Sequence, residues 1–195
     1  MCSSHTPFKY PTLFRLTDAT MPYTIVTGDL LEVTDAEYIV QQTCCTACSA
    51  QGLSKAISTK WPSINPYAER RRWGRTNWAV QEDRAEPGTI AVYEFEAPPQ
   101  GTLKGVVCAF AQVCHGKPGM AKDPLGLAAA DTAADRLRYF QSCLDCLEEL
   151  GATSVAFPYG IGCGLAGGVW VKYEAMLKQW SAAHPAVEVR IVKLG

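Results

Sequence analysis

The sequence predicts a single α/β domain with a mixed, mostly parallel central sheet. Strand-like segments alternate with helix-patterned segments along the chain, which is the order typical of parallel strands joined through helices. The chain has 195 residues, of which 48% are hydrophobic and 19% are charged. This composition is ordinary for a globular protein, and the length suffices for one hydrophobic core without disulfides.

Each predicted strand is a short run rich in β-branched, aromatic or apolar residues. The third follows the turn Pro87-Gly88, and the fourth is a continuous apolar run, as expected of a buried central strand. In chain order, the predicted strands are residues 23–27, 36–41, 89–95, 105–111, 154–157 and 187–193. Residues 1–22 are assigned to an N-terminal extension and residues 23–195 to the domain.

Three helices are predicted between these strands, at residues 53–61, 125–150 and 169–183. The first has its apolar residues on one face and ends before Pro62. The second is rich in Ala and Leu and ends at Gly151. Its candidate core face consists of Ala130, Ala134, Leu137, Phe140, Leu144 and Leu147.

Charge and cysteine content limit the function classes. The 18 Lys and Arg against 19 Asp and Glu give a net charge of −1, which does not favour direct binding to nucleic acid or to an anionic membrane. No segment is apolar and long enough to span a bilayer, and the N-terminus does not resemble a secretory signal. An odd count of nine cysteines suggests free thiols in a reducing compartment. We therefore expect a cytoplasmic or nuclear monomer.

Two loops of small residues, 43–52 and 158–168, follow predicted strands. Parallel sheets bind ligands at the carboxyl ends of their strands, which is where both loops lie. The second loop contains five glycines and leads into a helix N-terminus, where free backbone N–H groups and the helix dipole favour phosphate. It is not a Walker loop, because no Gly-Lys-Ser/Thr follows.

Together these segments resemble the macrodomain family over residues 23–193. Val26–Leu31 looks like the family's opening strand with its Gly-Asp pair, and Ile39–Ile57 looks like its first ligand loop and helix. Pro87–Ile90 resembles the start of a further family strand. Pro158–Leu165, followed by Trp170, resembles the second ligand loop. Its form is similar to the branch of terminal ADP-ribose–protein glycohydrolases and DNA ADP-ribosyl glycohydrolases.

The resemblance implies a three-layer α/β/α fold and an ADP-ribose site without a further cofactor. Asp29 would accept a hydrogen bond from the adenine amino group, with Leu30 beside the ring. The first loop would line the distal ribose, and the second would surround the diphosphate with backbone N–H groups. The implied ligand-binding residues are Asp29, Leu30, Gln41, Cys44, Gly52, Leu53, Ser54, Pro158, Gly160, Ile161, Gly162, Cys163, Gly164 and Leu165.

The sequence departs from the family at positions that matter for hydrolysis. Many hydrolytic members carry Asn-x-x-Asn where this chain has Gln41 and Cys44, and a thiol cannot replace the hydrogen bonds of an amide. In the glycohydrolase branch an Asp follows the Gly-Cys-Gly-Leu motif, whereas this chain has Ala166.

Three other residues are catalytic candidates. The imidazole of His115 could transfer protons, or it could belong to an exposed loop histidine. Lys117 could contact phosphate or form a Schiff base with an opened ribose, or it could be a solvated lysine. Gln42 could hold a water. The thiols of Cys44 and Cys45 would be nucleophiles only if their pKa values were lowered, so we interpret them as small loop thiols.

Two further motifs have alternative interpretations. Cys45-x-x-Cys48 and Cys143-x-x-Cys146 have zinc-ligand spacing, but we expect core thiols and no metal, because the second pair lies in an Ala- and Leu-rich helix. The basic, aromatic stretch 70–78 could contact nucleic acid, or it could be a solvated helix face with its tryptophans packed beneath.

Three functions remain open. The chain could be a hydrolase that cleaves an ADP-ribosyl linkage or an ADP-ribose phosphate ester. It could be a non-catalytic reader of ADP-ribosylated protein or nucleic acid, which the departures at Cys44 and Ala166 favour. It could be a nucleic-acid-binding module, which the net charge disfavours. We favour the hydrolase, because Gln41, Gln42, His115 and Lys117 supply more polar groups than binding alone requires.

Overall fold

The structure is a computed structural model that describes residues 22–99 and 101–195. The N-terminal extension predicted at residues 1–22 lies outside the described residues, apart from Pro22. No helix in the described ranges is long and apolar enough to cross a membrane.

The described residues form six strands and three α-helices. The strands are β1 (Tyr23–Thr27), β2 (Tyr38–Cys44), β3 (Ile90–Glu94), β4 (Gly105–Gln112), β5 (Ser154–Pro158) and β6 (Glu188–Lys193). The helices are α1 (Leu53–Lys60), α2 (Ala133–Glu149) and α3 (Trp170–Ala183). The alternation predicted from the sequence is confirmed.

All six strands belong to one sheet with the order β1-β6-β5-β2-β4-β3. The first five strands in this order are parallel to their neighbours, and β3 alone pairs antiparallel with β4. The predicted mixed, mostly parallel sheet is therefore confirmed. Because the central strands are buried on both faces, their sequences are continuous apolar runs.

The sheet is covered by helices on both faces. Ile39 and Val106 pack with Ile57 of α1 on one face, whereas their neighbours Val40 and Val107 pack on the other face against α2 and α3. Successive strand residues point to opposite faces, so each central strand contributes to both cores. The three-layer α/β/α architecture is confirmed.

The prediction of a helix over residues 125–150 is wrong at its start, because α2 begins only at Ala133. Side chains capture the backbone before that point. The carboxylate of Asp123 accepts hydrogen bonds from the N–H groups of Leu125 and Leu127, and Gly126 has φ +66°. Such local bonds compete with helix formation. Thr132 then begins α2 with a reciprocal capping box.

This later start changes the predicted core face of α2. Ala130 lies outside the helix and is exposed, and Ala134 is exposed on its first turn. Phe140, Leu144 and Leu147 are buried as predicted. The second strand is shifted from the predicted residues 36–41, because β2 begins at Tyr38 and continues alongside β4 as far as Cys44.

Candidate functional site

The carboxyl ends of β1, β6, β5, β2 and β4 lie side by side along one edge of the sheet, because these five strands are parallel. Asp29 follows β1, the loop 158–168 follows β5, and Lys117 follows β4. We call residues 158–168 the glycine loop. The two small-residue loops approach each other, since a methyl group placed on Gly52 would lie 3.6 Å from Leu165 Cδ1.

Asp29 lies at one end of this edge with its side chain exposed. Its Oδ1 accepts a hydrogen bond from the N–H of Leu31 at 2.9 Å and caps a short 3-10 turn. Its Oδ2 accepts no hydrogen bond from the described residues, so this oxygen is available to a ligand. Leu30 is buried in the core beneath the turn. The carboxylate is therefore fixed in position but accessible.

The glycine loop folds back on itself and presents backbone donors. Gly160, Gly162 and Gly167 have φ values of +76°, +73° and +68°, a region that only glycine adopts readily. The N–H of Gly168 donates to the carbonyl of Gly162 at 2.9 Å. Within the described ranges, the N–H groups of Gly162, Gly164 and Leu165 donate to no carbonyl or side chain. These groups are the donors that a phosphate would use.

The loop leads into α3, whose N-terminus has no side-chain cap. Its N-cap residue is Val169, which cannot accept a hydrogen bond through its side chain. The first turn of the helix therefore keeps backbone donors and the positive end of the helix dipole. Both features favour an anion next to the glycine loop.

The remaining predicted residues of the glycine loop have different surroundings. Pro158 ends β5 and Ile161 is buried in the core. Cys163 is half-buried, and burial raises the pKa of its thiol. Leu165 is 66% exposed, which is unusual for leucine and leaves an apolar side chain at the rim between the two loops.

Gly162 is tightly packed against the sheet. A Cβ at this position would lie 2.6 Å from Gln42 Oε1 and 2.6 Å from Tyr173 Cζ. No side chain fits there unless the side chains of Gln42 and Tyr173 move. By contrast, nothing lies within 4 Å of a Cβ placed on Gly164.

These two glycines make a matched pair of variants. We expect Gly162→Ala to lower the free energy of unfolding by about 2 kcal/mol or more, through the left-handed φ and overpacking. We expect Gly164→Ala to change it by less than about 0.5 kcal/mol. Urea denaturation of both variants measures the difference. Equal stability of the two would contradict this packing of the loop.

Gln42 is the catalytic candidate that lies directly beneath the glycine loop. Both polar atoms of its side-chain amide are buried and lack a hydrogen-bond partner in the described structure. An unpaired buried amide is costly and normally binds a ligand or an ordered water. Its amide lies beside Gly162 and the ring of Tyr173, enclosed beneath the loop.

Gln41 points to the opposite face of β2 and is only 1% exposed. Its Oε1 accepts a hydrogen bond from Ser54 Oγ at 2.7 Å, and its Nε2 donates to Cys108 Sγ at 3.3 Å. The structure therefore uses Gln41 and Ser54 to join β2 and α1. Their assignment to ligand binding stays a prediction. The same holds for Gly52 and Leu53, which lie at the start of α1 beside the carboxyl edge of the sheet.

Cys44 ends β2 with a buried thiol. Its Sγ donates to the carbonyl of Val113 at 3.2 Å, and burial raises its pKa. Burial likewise raises the pKa of the Cys45 thiol. Neither thiol is activated as a nucleophile, which agrees with their interpretation as small loop thiols.

Lys117 and His115 lie in the same loop but in different environments. Lys117 is exposed, and its aliphatic stem covers the glycine loop, since a Cβ on Gly167 would lie 2.7 Å from Lys117 Cγ. His115 is half-buried, with its ring edge-on to Trp78 at a centroid distance of 5.0 Å. Its Nδ1 is buried and without a hydrogen-bond partner in the described structure. It is therefore not the exposed loop histidine considered above.

Arg136 joins the loop that contains His115 and Lys117 to the glycine loop. The sequence analysis did not predict this role. Its Nε and Nη2 donate to the carboxylate of Asp131 at 2.8 and 2.6 Å. Its Nη1 donates to the carbonyls of Gly116 at 2.8 Å and Ala166 at 2.9 Å, and Nη2 also reaches the Cys114 carbonyl at 3.1 Å. The side chain is 2% exposed. A signal was present, because this arginine lies one turn before Phe140 on the apolar face of α2.

The arginine run 70–72 supports the fold rather than forming a continuous basic face. Arg70 Nη1 donates to the carbonyls of Cys44 and Ala47 at 2.9 and 2.7 Å and so holds the first loop. Arg71 pairs with Asp83 at 2.8 Å. The predicted helix face is wrong, because this stretch contains turns and isolated bridges.

The cysteine pairs donate to backbone carbonyls. Cys45 and Cys48 donate to Phe110 and Arg71. The thiols at positions 143 and 146 donate to carbonyls preceding β3. In the described part of the chain, no three His, Cys, Asp or Glu side chains are grouped to hold a metal ion.

Comparison with known proteins gives likenesses in structure. No family model matches the sequence, and no curated protein matches it. The macrodomain of Mycobacterium tuberculosis DarG is similar with a TM-score of 0.61 and 19% identity, over 87% of this chain and 96% of that chain. The macrodomain of Thermus aquaticus DarG is similar with a TM-score of 0.57 and 18% identity, over 87% and 97%.

A third similar structure is a Trypanosoma brucei macrodomain in complex with ADP-ribose. Its TM-score is 0.56 at 14% identity, over 91% of this chain and 66% of that chain. At these identities the likenesses establish the fold.

Proposed function

We propose that this chain, which has the macrodomain fold that its sequence predicted, binds ADP-ribose along the carboxyl edge of its sheet. One observation carries the proposal. An accessible carboxylate at Asp29, the free N–H groups of the glycine loop and the cation of Lys117 lie in this order along one edge. The order matches the adenine, diphosphate and distal ribose of ADP-ribose.

The central part of the site suits a diphosphate. Free backbone donors at Gly162, Gly164 and Leu165 adjoin an uncapped helix N-terminus, and both bind anions without a fixed positive charge. The similar Trypanosoma brucei structure, which contains ADP-ribose, supports the same ligand class.

We further propose that the chain hydrolyses an ADP-ribosyl linkage or an ADP-ribose phosphate ester. Two polar groups support this step at the end of the site away from Asp29. The ammonium of Lys117 could donate a proton to the leaving group, and the resulting amine could accept the proton lost by the attacking water, which the amide of Gln42 could orient. The likeness to two DarG macrodomains agrees with the motif resemblance to ADP-ribosyl glycohydrolases.

The alternative is a non-catalytic reader of ADP-ribosylated macromolecules. Its support is the absence of a carboxylate at Ala166, whose backbone carbonyl is occupied by Arg136, and the buried thiol at Cys44. Both functions need the same ADP-ribose site, so the first experiment tests binding.

We expect wild-type protein to bind ADP-ribose in calorimetric titration, and Asp29→Ala to weaken binding by about tenfold or more through loss of a charge-assisted hydrogen bond. The control is Asp145→Ala, which removes an exposed carboxylate of α2 that accepts a hydrogen bond from Gln141. Absence of binding by the wild type would contradict the proposal. Equal affinities for wild type and Asp29→Ala would contradict the placement of adenine.

A further inference from the structure

A cavity lies outside the edge described so far. It has a volume of about 580 Å³ and is lined by Cys114 and by residues between 118 and 133. This volume falls within the range of about 300–1,000 Å³ that is usual for ligand sites. Most of its wall consists of small side chains, among them Gly119, Ala121, Gly126, Ala128, Ala129 and Ala130.

The cavity begins where the proposed ADP-ribose site ends. Lys117 covers Gly167 of the glycine loop, and the next residue, Pro118, lines the cavity. Pro118 also lines a pocket of about 40 Å³ together with Gly167 and Gly168. The cavity therefore lies directly beside the glycine loop.

Strand order fixes which end of the ligand faces the cavity. Asp29 follows β1 and the cavity follows β4, and these strands are four strand spacings apart, roughly 19 Å at about 4.8 Å each. With adenine at Asp29 and the diphosphate at β5, the distal ribose points towards β4. A group attached to the distal ribose would thus lie next to the cavity.

The cavity is nearly neutral. Its two carboxylates are occupied, since Asp123 pairs with Arg84 at 2.7 Å and Asp131 pairs with Arg136 at 2.6 Å. In the described ranges, Lys122 is the one lining cation without an ion pair. Nucleic-acid sites depend on several Lys or Arg side chains that contact phosphates. This lining does not provide them.

Backbone N–H groups along the cavity wall can donate hydrogen bonds to a ligand. Residues 128–131 belong to neither a helix nor a strand. Their N–H groups donate no hydrogen bond to any described residue. Unpaired backbone N–H groups can donate to the carbonyls of an extended polypeptide, and main-chain hydrogen bonds of this kind contribute affinity in peptide recognition.

We propose that this cavity holds the polypeptide that flanks an ADP-ribosylated residue, so that the chain acts on ADP-ribosylated protein. The inference rests on the proposed ADP-ribose site. It assigns residues 118–133 to recognition of the modified protein, whereas the carboxyl edge recognises the ADP-ribosyl group.

The test compares three probes by calorimetric titration. These are free ADP-ribose, a ten-residue peptide bearing ADP-ribose through a hydrolysis-resistant linkage, and a DNA oligonucleotide with the same linkage. We expect the peptide conjugate to bind about tenfold more tightly than free ADP-ribose, a difference of about 1.4 kcal/mol. The oligonucleotide conjugate should bind no more tightly than free ADP-ribose.

Filling the cavity should remove the gain in affinity that the peptide conjugate has over free ADP-ribose. Ala129→Trp should give the conjugate and free ADP-ribose equal affinity, while the affinity for free ADP-ribose stays that of the wild type and so shows that the variant is folded. The control Ala182→Trp places the same side chain at an exposed position near the end of α3 and should preserve the gain.

The outcomes separate this inference from the proposed function. If free ADP-ribose does not bind, both fail. If free ADP-ribose binds but the peptide adds no affinity, or if Ala129→Trp preserves the gain, the cavity is not the peptide site. A gain with the oligonucleotide that Ala129→Trp abolishes would assign the cavity to nucleic acid and overturn the inference.

Discussion

Replacing Arg136 by Met is expected to lower the free energy of unfolding by about 3–5 kcal/mol, because it leaves the carboxylate of Asp131 buried without its ion pair. The substitution also frees the carbonyls of Gly116 and Ala166, which Arg136 joins across two loops. We therefore expect weaker ADP-ribose binding in the fraction that folds. Urea denaturation and calorimetric titration measure the two effects.

Two further variants test whether the unpaired carboxylate of Asp131 causes this loss of stability. Arg138→Met removes an exposed arginine from the same helix and should cost much less, because solvent screens its ion pair. The double variant Arg136→Met, Asp131→Asn should recover part of the lost stability, since no charge is then left buried. If Arg136→Met were no less stable than Arg138→Met, Arg136 would not be the link between the two loops.

Lys117→Met is expected to reduce release of ADP-ribose from a modified substrate by about 10²-fold or more, the usual contribution of a general acid or base. Methionine keeps much of the aliphatic stem that covers Gly167 and removes only the ammonium. Binding of ADP-ribose should therefore change little. Single-turnover release assays and calorimetric titration distinguish the chemical step from binding.

The matched control is Lys178→Met, because Lys178 is exposed on α3 and pairs with Glu174 one turn earlier. It should leave both the release rate and the affinity unchanged. A wild-type rate in Lys117→Met would exclude Lys117 from the reaction and leave Gln42 and His115 as candidates. Failure of the wild type to release ADP-ribose from protein, nucleic-acid and phosphate-ester substrates would favour the reader.

Local patterns were sufficient to predict the α/β class and most of its strands and helices, whereas the three-layer arrangement was implied by the family resemblance. Buried parallel strands are continuous apolar runs, and each helix has apolar residues at helical spacing. Both patterns can be identified without tertiary information. The glycine loop was predictable for the same reason, since five glycines between a strand and a helix signal unusual backbone angles. The structure places positive φ values at three of them.

Features that depend on contacts distant in sequence were not predictable. Residues just before α2 are held partly by Asp131, which accepts hydrogen bonds from the N–H groups of Val113 and Cys114, almost twenty residues earlier. Composition alone favoured helix throughout residues 125–132. The five-bond arrangement of Arg136 has the same origin, because three of its acceptors become neighbours only in the folded chain.

The pair Gln41 and Gln42 shows why the residues of the site could not all be predicted from the sequence. Consecutive strand residues point to opposite faces, so only one of them can lie beneath the glycine loop. The sequence does not say which face of β2 the loop covers, and both were therefore predicted to be functional. The structure places Gln42 beneath the loop and joins Gln41 to Ser54.

A crystal structure with ADP-ribose tests the central claim most directly. We expect diphosphate oxygens at about 2.7–3.2 Å from the N–H nitrogens of Gly162, Gly164 or Leu165. The adenine amino group should lie at Asp29 and the distal ribose towards Lys117. A diphosphate bound away from the glycine loop, or adenine at the Lys117 end, would contradict this account.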